Sequence, residues 1–344
     1  MNGLFFMKNK VESLYEMLLE QIRRGNYKAG EKFPSEYELA DMYGINKSTA
    51  NKAVGMLVAN NYLHRTLGRG GTIVSANNYI SKGVIGYKML LLSGGTYSAQ
   101  LLKGAQMAAS ANGYSLQYME YEFPEDEHWE RIGNMPLKGV LFTASSCPPD
   151  DFKLPAINVG ISQKGNYLFS DSYRGGQLAA EHLYSRGHRR VVCISNEKRE
   201  GLAASGFFDR MKEFGIHGNN CRHLPIADDN MNCAAVWEHV NQKSGVTAAF
   251  CISDMVAMRM MLYLRSVDVV VPRDFSICGF GYMRLIQKVC PMTSIDQFPL
   301  DMGYSACTNL IHLIEGKETG PIQIKTPVEL VNPDMTVGYL SQNK

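Results

Sequence analysis

The sequence predicts an α/β chain in two unequal parts: a small N-terminal helical unit with a two-stranded hairpin, then doubly wound parallel sheets in two lobes. Three observations carry that expectation. Residues 33–74 run through helix, turn, helix and glycine-rich hairpin signals in one ordered stretch. From Val84 onward, short apolar runs alternate with amphipathic helical patterns, the rhythm of parallel sheets covered on both faces. That second region spans roughly 255 residues, more than one simple sheet organises around a single core.

The first helix opens at Ser35, where Ser35-x-x-Glu38 forms a capping box around Glu36 and Tyr37. Leu39, Ala40 and Met42 supply apolar positions for its buried side, and Gly44 permits the turn that follows. Asn46 is a natural N-cap for the second helix. On that helix Ala50, Val54 and Leu57 form one buried stripe. Lys47, Ser48, Thr49, Asn51 and Lys52 cluster near its N-terminus, the part of a recognition helix that reaches base edges in a major groove. Asn and Lys read bases, while Ser, Thr and Lys also hold phosphates. Arg69, followed by Gly70, sits on a hairpin tip slim enough for a minor groove. A capping box alone occurs in many helices. The whole ordered pattern describes a winged helix-turn-helix that docks on duplex DNA.

Residues 8–76 resemble the winged-helix domain of the GntR family of bacterial regulators. The matching pieces are Gly30 to Ser35, Glu38-Leu39-Ala40, Gly44-Ile45, Lys47-Ser48-Thr49, Ala53, Leu57 and Gly70-Gly71-Thr72-Ile73-Val74. The resemblance implies that Tyr37, Lys47 and Asn51 face DNA. The family usually has arginine at all three places, so the operator sequence stays open. An Arg-to-Lys exchange also removes bidentate reading of guanine.

Composition agrees with a soluble regulator. The 344 residues suffice for two or three domains, and 45% hydrophobic with 20% charged residues builds ordinary cores. Net charge is +2, and the basic excess lies within residues 1–76, where ten Lys/Arg face seven Asp/Glu. So small an excess favours specific docking over nonspecific coating of nucleic acid. The eight cysteines form no CxxC pair, and several lie in apolar strand-like runs such as Val191 to Ile194. They read as buried reduced thiols, and no cluster has metal-ligand spacing. The apolar Leu4 to Met7 is too short for a signal peptide or membrane span, so the expected location is the cytoplasm.

A linker is expected at 77–83, within the polar stretch Ser75 to Gly83. Candidate strands then fall at 84–92, 115–121, 139–144, 156–160, 190–195, 221–226, 248–253, 275–280 and 292–297. Helical patterns fall at 97–112, 173–186, 201–215, 230–243, 254–267 and 299–315. Ligands of such sheets bind beyond the carboxyl ends of the strands. Ser93, Thr143, Ser145, Asn196, Ser253 and Phe280 lie there. Polar groups beside an aromatic suit a sugar, whose hydroxyls need hydrogen bonds and whose faces need apolar contact.

Residues 84–340 resemble the effector-binding and dimerisation domain of the LacI/GalR family, which is periplasmic-binding-protein-like. The matching pieces include Asp171 to Gly176, His182-Leu183, Gly187-His188-Arg189, Gly206-Phe207, Ser253-Asp254, Val271 to Ile277, Gly279-Phe280 and Thr293 to Gln297. A GntR reader on such a sensor resembles the arabinose repressors of bacilli. The resemblance implies a two-lobed domain with Tyr97, Ser98 and Thr143 on one side of a cleft. Tyr173, Arg174, Arg199 and Ser253 would face them, with Asp254, Gly281 and Gln297 also at the effector. Two departures stand out. Ala203 and Gly281 replace an arginine and an aspartate common in that family, which leaves the effector's identity open.

Other features read plainly. His188 after Gly187 is structural, at a helix end before a strand. Ser93 to Thr96 lacks both the GxGxxG and Walker spacings, so a strand-to-helix turn is favoured over a phosphate site. The acidic run from Glu120 to Glu127 is a solvated surface; Trp129, Trp237, Met258, Met260 and Met261 are packing residues. The expected whole is a homodimeric, DNA-binding transcriptional regulator, a repressor of carbohydrate-utilisation genes switched by a small sugar or sugar-derived effector, with no cofactor. The other class is an enzyme acting on a sugar or nucleotide through the doubly wound region. No Ser/His/Asp order, paired-carboxylate motif or phosphate loop in the sequence supports it.

Overall fold

The computed structural model describes residues 10–60, 62–66, 71–75, 82–89, 96–119, 125–143, 147–160, 164–196, 202–226, 231–241 and 245–340. The chain divides into two compact units, Met1–Lys82 and Gly83–Lys344. No described helix is long and apolar enough to cross a membrane.

The first unit contains α1 (Lys10–Arg23), α2 (Glu36–Tyr43), α3 (Lys47–Ala59), β1 (Leu63–Arg65) and β2 (Thr72–Val74). Leu14, Leu18 and Ile22 repeat at helical spacing on α1 and meet Leu39, Ala50, Ala53, Val54 and Leu57 in one core. The strands pair antiparallel, Leu63 opposite Val74 and Arg65 opposite Thr72. The capping box forms: Ser35 Oγ accepts from the Glu38 N–H at 3.3 Å, and the Ser35 N–H donates to Glu38 Oε2 at 2.7 Å. Gly44 takes a left-handed φ of 60°, and Asn46 Oδ1 accepts from the Thr49 N–H at 2.9 Å. One expectation fails here. Leu39 is fully buried, but Ala40 is half-buried and Met42 is 59% exposed. α1 and α3 already fill the core that α2 meets, so one inward side chain of this eight-residue helix suffices.

The second unit holds two parallel sheets. The six-stranded sheet runs β13-β7-β6-β5-β3-β4 and the four-stranded sheet β11-β10-β8-β9. Their strands are β3 (Val84–Met89), β4 (Ser115–Met119), β5 (Leu137–Thr143), β6 (Ala156–Val159), β7 (Tyr167–Ser170) and β13 (Gln323–Thr326), then β8 (Val191–Asn196), β9 (Cys221–Ile226), β10 (Ala248–Cys251) and β11 (Ser276–Cys278). All four residues of β10 are buried, as both-face burial requires. β12 (Ser294–Asp296) and β14 (Glu329–Val331) form a separate antiparallel pair. β7, β13 and β14 were not expected from the sequence. They have three or four residues each, and β7 finds its partner β13 more than 150 positions away. The chain passes between the lobes after β7, after β12 and after β13.

Two helix pairs organise these passages. α4 (Thr96–Ala111) crosses α11 (Pro299–Ile314), and α6 (Ser172–Ser185) crosses α7 (Leu202–Glu213). A Cβ at Gly104 would overlap the carbonyl oxygen of Leu300, and one at Gly303 that of Leu101. At the other crossing, Gly176 lies against the Ala203 carbonyl and Gly206 against that of Tyr173. The glycines serve close approach, not unusual backbone angles. The other helices of this unit are α5 (Glu125–Gly133), α8 (Cys233–Asn241), α9 (Asp254–Ser266) and α10 (Arg284–Val289).

The residues read as packing pack. Trp129 meets Phe142 and Phe152 edge-on at 5.1 and 5.3 Å, and Trp237 meets Phe275 at 5.2 Å. Met260 is fully buried, with Met258 and Met261 half-buried beside it. All eight cysteines are free thiols, five of them buried. Burial pushes Cys221 and Cys307 up to about 12, far from thiolate reactivity. The His188 N–H closes α6 on the Leu183 carbonyl at 3.1 Å. Its buried ring joins Thr247 Oγ1 at 2.8 Å to the Gly338 carbonyl at 3.1 Å. A carbonyl only accepts, so Nε2 carries the proton and Nδ1 accepts from the threonine hydroxyl.

Two predictions follow from this packing. Gly→Ala inside a helix ordinarily stabilises by about 1 kcal/mol. Gly55 in α3 has open space around its α-carbon, so Gly55→Ala should raise the melting temperature. Gly176→Ala and Gly104→Ala should lower it, because overpacking there costs roughly 1–3 kcal/mol of stability; three equal shifts would contradict the close crossings. The second concerns acid. Burial lowers the His188 pKa from 6.5 to about 4, and burial also lowers that of His182. The folded state then binds fewer protons than the unfolded one, so stability is intact above pH 6.5 and falls as pH drops toward 4. His188→Gln should flatten that part of a urea-stability profile, and an unchanged slope would remove His188 from the account.

Candidate functional site

The first site is the surface where the starts of α2 and α3 meet the wing. Lys47, Ser48, Asn51 and Lys52 are all exposed on the first two turns of α3. The Asn46 cap and the Ser35 capping box hold these helix starts. Thr49 is half-buried and its hydroxyl donates to Asn46 Oδ1 at 2.7 Å, so it stabilises the cap. The Ser35 hydroxyl is likewise held, donating to Glu38 Oε2 at 2.8 Å. Tyr37 is 65% exposed, and Lys47 Nζ lies 3.7 Å from the centroid of its ring. That contact ties the start of α2 to the start of α3.

Arg65 was not anticipated from the sequence. One of its guanidinium nitrogens donates to Glu36 Oε1 at 3.2 Å and to Asn51 Oδ1 at 2.8 Å. The signal was present in the alternation of β1. Leu63 is buried, so Arg65 two residues on points the same way, to where the core has ended and α3 is exposed. Arg69 and Gly70 lie outside the described residues.

The second site is where the chain passes between the lobes. Gln297 Nε2 donates to Ser170 Oγ at 2.6 Å and to Ser172 Oγ at 3.1 Å. The Tyr97 hydroxyl hydrogen-bonds Ser170, and burial holds this phenol above its usual 10. Gly281, at φ 106°, turns its open side toward Gln297, whose Oε1 would lie 4.0 Å from a Cβ there. Asp171 caps α6 through Oδ1, accepting from the Arg174 N–H at 3.1 Å, while Oδ2 pairs with Lys325 Nζ at 2.7 Å. Its own N–H donates to the Thr326 carbonyl at 2.8 Å. All three passages are thereby cross-linked by side chains that also line them. Tyr97, Gly281 and Gln297 thus come together around Ser170 and Ser172, neither of which the sequence reading assigned to the site.

The remaining expected residues lie as follows. Thr143 ends β5, with Oγ1 3.1 Å from the Tyr87 hydroxyl. Ser98 is half-buried in the first turn of α4. Ser253 is buried and caps α9, its Oγ accepting from the Met255 N–H at 3.1 Å. Tyr173 donates its hydroxyl to Asp209 at 2.8 Å. The Arg174 guanidinium is held by Glu181 at 2.7 and 3.1 Å and by Gln177 at 3.3 Å, along α6 and away from its N-terminus. Asp254 is fully buried. Its carboxylate accepts from Ser294 Oγ at 2.6 Å, the Met283 N–H at 2.8 Å and Gln287 Nε2 at 3.1 Å. Burial raises its pKa, against those hydrogen bonds, and its contacts hold the 280–287 segment in place. Ser145 and Arg199 lie outside the described residues. Among the described residues, no group of three or more His, Cys, Asp and Glu could hold a metal ion.

Comparison with known proteins places both units. Residues 10–74 match the family model of bacterial regulatory proteins, gntR family, and residues 180–333 match that of the periplasmic binding protein-like domain. An arabinose metabolism transcriptional repressor of Geobacillus stearothermophilus is 24% identical over 348 residues, spanning 91% of this chain and 93% of that protein. The structure of a LacI family transcriptional regulator from Enterococcus faecium with bound ribose superposes with a TM-score of 0.67 at 19% identity, over 75% of this chain and 99% of that one. That of the regulator CelR with cellobiose gives 0.64 at 18% identity, over 87% and 98%. These two likenesses establish the fold. The family matches set the chain among regulators rather than enzymes: it is a transcriptional regulator that joins a gntR-family DNA-binding domain to a periplasmic binding protein-like domain.

Proposed function

We infer that this regulator is a repressor of carbohydrate-utilisation genes, acting in the cytoplasm as a homodimer on a near-palindromic operator and released or retained by a small sugar. The observation that carries the effector half of this reading is the cross-linked passage between the lobes. Ser170, Ser172 and Gln297 offer hydroxyls and an amide beside the Tyr97 ring, the mixture a sugar needs. A ligand seated there touches both lobes and binds their closed arrangement better than their open one. That difference in affinity is all it has to shift the equilibrium. The curated relative of Geobacillus stearothermophilus, a repressor of arabinose metabolism, supports a pentose as the first effector to try.

On the DNA side we assign Glu36, Tyr37, Lys47, Ser48, Asn51 and Lys52 to the contact surface, with Ser35, Asn46 and Thr49 fixing the helix ends. Arg69 and Gly70 are added to it from the sequence alone. On the effector side we assign Tyr97, Ser98, Thr143, Gly281 and Gln297, with Tyr173, Arg174 and Ser253 at its margins and Asp254 behind it; Ser145 and Arg199 are assigned from the sequence alone. One winged helix offers a small reading surface, and two-fold pairing doubles it.

The test uses the full chain on duplexes from its own promoter, with arabinose, ribose, xylose and cellobiose added in turn. One sugar should change operator affinity by about 5–150-fold, the usual range of such coupling. Gln297→Ala should blunt that response while operator binding without sugar persists. Lys47→Ala should weaken binding and lower the salt slope by about one if it holds a phosphate. Failure to retard any promoter duplex would refute the operator reading. Operator binding that no sugar changes, with no sugar raising the melting temperature, would refute the effector reading alone.

A further inference from the structure

We propose that Arg65 is a positioning residue for base recognition. It holds the Asn51 carboxamide with its donors outward, so that Asn51 reads guanine and rejects adenine at one position of each half-site. The inference rests on the DNA-reading surface proposed above and adds which base that surface selects.

The geometry begins with Glu36, Arg65 and Asn51, one residue each from α2, β1 and α3. Arg65 Nη2 has two hydrogens, and two acceptors receive from it: Glu36 Oε1 at 3.2 Å and Asn51 Oδ1 at 2.8 Å. An Arg nitrogen only donates, so the Asn51 atom facing it must be the carbonyl oxygen; a flipped amide would set donor against donor. Nδ2 is then directed away from Arg65, on an exposed residue in the second turn of the recognition helix.

The major-groove edges separate on this point. Guanine presents two adjacent acceptors, N7 and O6, whereas adenine presents an acceptor beside its N6 donor. The usual pairing of asparagine with adenine uses Nδ2 and Oδ1 together. With Oδ1 committed to Arg65, Asn51 offers donors only, which suits guanine. Adenine then requires that the Arg65 bond be broken or shared.

Stability gives no reason for this network. The Arg65 and Glu36 side chains are 51% and 24% exposed, and such ion pairs contribute little to folding. Glu36 instead neutralises a guanidinium that would otherwise seek the nearest phosphate, and so keeps it beside Asn51.

Selection from a random duplex pool, with the full chain and each variant at matched occupancy, tests the inference. The unaltered chain should favour guanine over adenine by about tenfold or more at one position per half-site, the low end of a good base contact. Asn51→Ala should abolish that preference. Arg65→Ala should reduce it to below about threefold, or turn it to adenine, at that same position while preferences elsewhere persist. Arg65→Lys, which retains a charged donor but not the fork, should restore it in part. Arg65→Gln runs in parallel in case the alanine variant does not fold, with the same loss expected.

The inference is overturned if the unaltered chain prefers adenine there, or if the Arg65 variants keep its guanine preference. It is also overturned if they weaken all sequences equally and lower the salt slope by about one, the mark of a phosphate contact. A chain that selects no sequence at all overturns the operator reading as well, which separates the two failures.

Discussion

At Gly176 with Gly206, and again at Gly104 with Gly303, two helices approach until carbonyl oxygens face bare α-carbons, leaving no room for a methyl group. The approach gives long lines of dispersion contact and weak Cα–H···O interactions, individually small and collectively significant. Its consequence reaches the site. α6 and α11 are the helices that begin where the chain passes between lobes, at Ser172 and Pro299. Each is pinned by its glycine crossing to the helix that follows the first strand of its own lobe, α7 after β8 and α4 after β3. The hydrogen-bonded group at Ser170, Ser172 and Gln297 lies at the starts of these two pinned helices.

That group combines two kinds of bond with different responses to strain. Lys325 and Asp171 form an ion pair with the lysine largely exposed, a link that salt screens and that tolerates changes of angle. The Gln297 amide is buried and donates to two hydroxyls, so its replacement removes one bond from each and leaves Ser170 to Tyr97 and Ser172. Serine hydroxyls rotate, so Ser170 and Ser172 can re-aim as their partners shift. A joint made of rotating donors and acceptors stays satisfied through a small rotation where a packed apolar joint would open a void.

Local signals were legible in the sequence wherever a few neighbouring residues decide the outcome. Ser35 with Glu38, Gly44, Asn46 and the Ala50-Val54-Leu57 stripe all behave as their chemistry dictates. What escaped depends on distant partners. β13 pairs with β7 across more than 150 residues, and its alternating exposure resembles a loop until that edge is known. Met42 looked inward because apolar residues usually do, yet α1 had already filled the place. Family position implied that Arg174 and Asp254 lie at the effector, but position does not say what else holds a side chain. A carboxylate seven residues along α6 holds the arginine, and three donors hold the aspartate. Arg65 was hidden for the same reason, because its meaning lies in Glu36 and Asn51, each on a different element.

The two sites also differ in what their charges do. Around the lobes, charged groups are spent on one another: Glu181 takes both Arg174 and Arg210, and Arg186 takes Asp334. On the reading surface the pairings are exposed and shallow. Lys47 rests on Tyr37 and Arg65 on Glu36, and exposed contacts of this kind contribute about 1 kcal/mol or less each. A strong internal pairing would have to be broken before DNA could take its place, and that cost would be subtracted from affinity. Shallow pairings orient the side chains in advance: Lys47 can leave the Tyr37 ring at little cost, while Arg65, held by Glu36 and Asn51 together, stays where it is. The modest charge of the first unit is consistent with this. Affinity then depends on where a few side chains point more than on how many are positive, and the caps at Ser35 and Asn46 fix that direction.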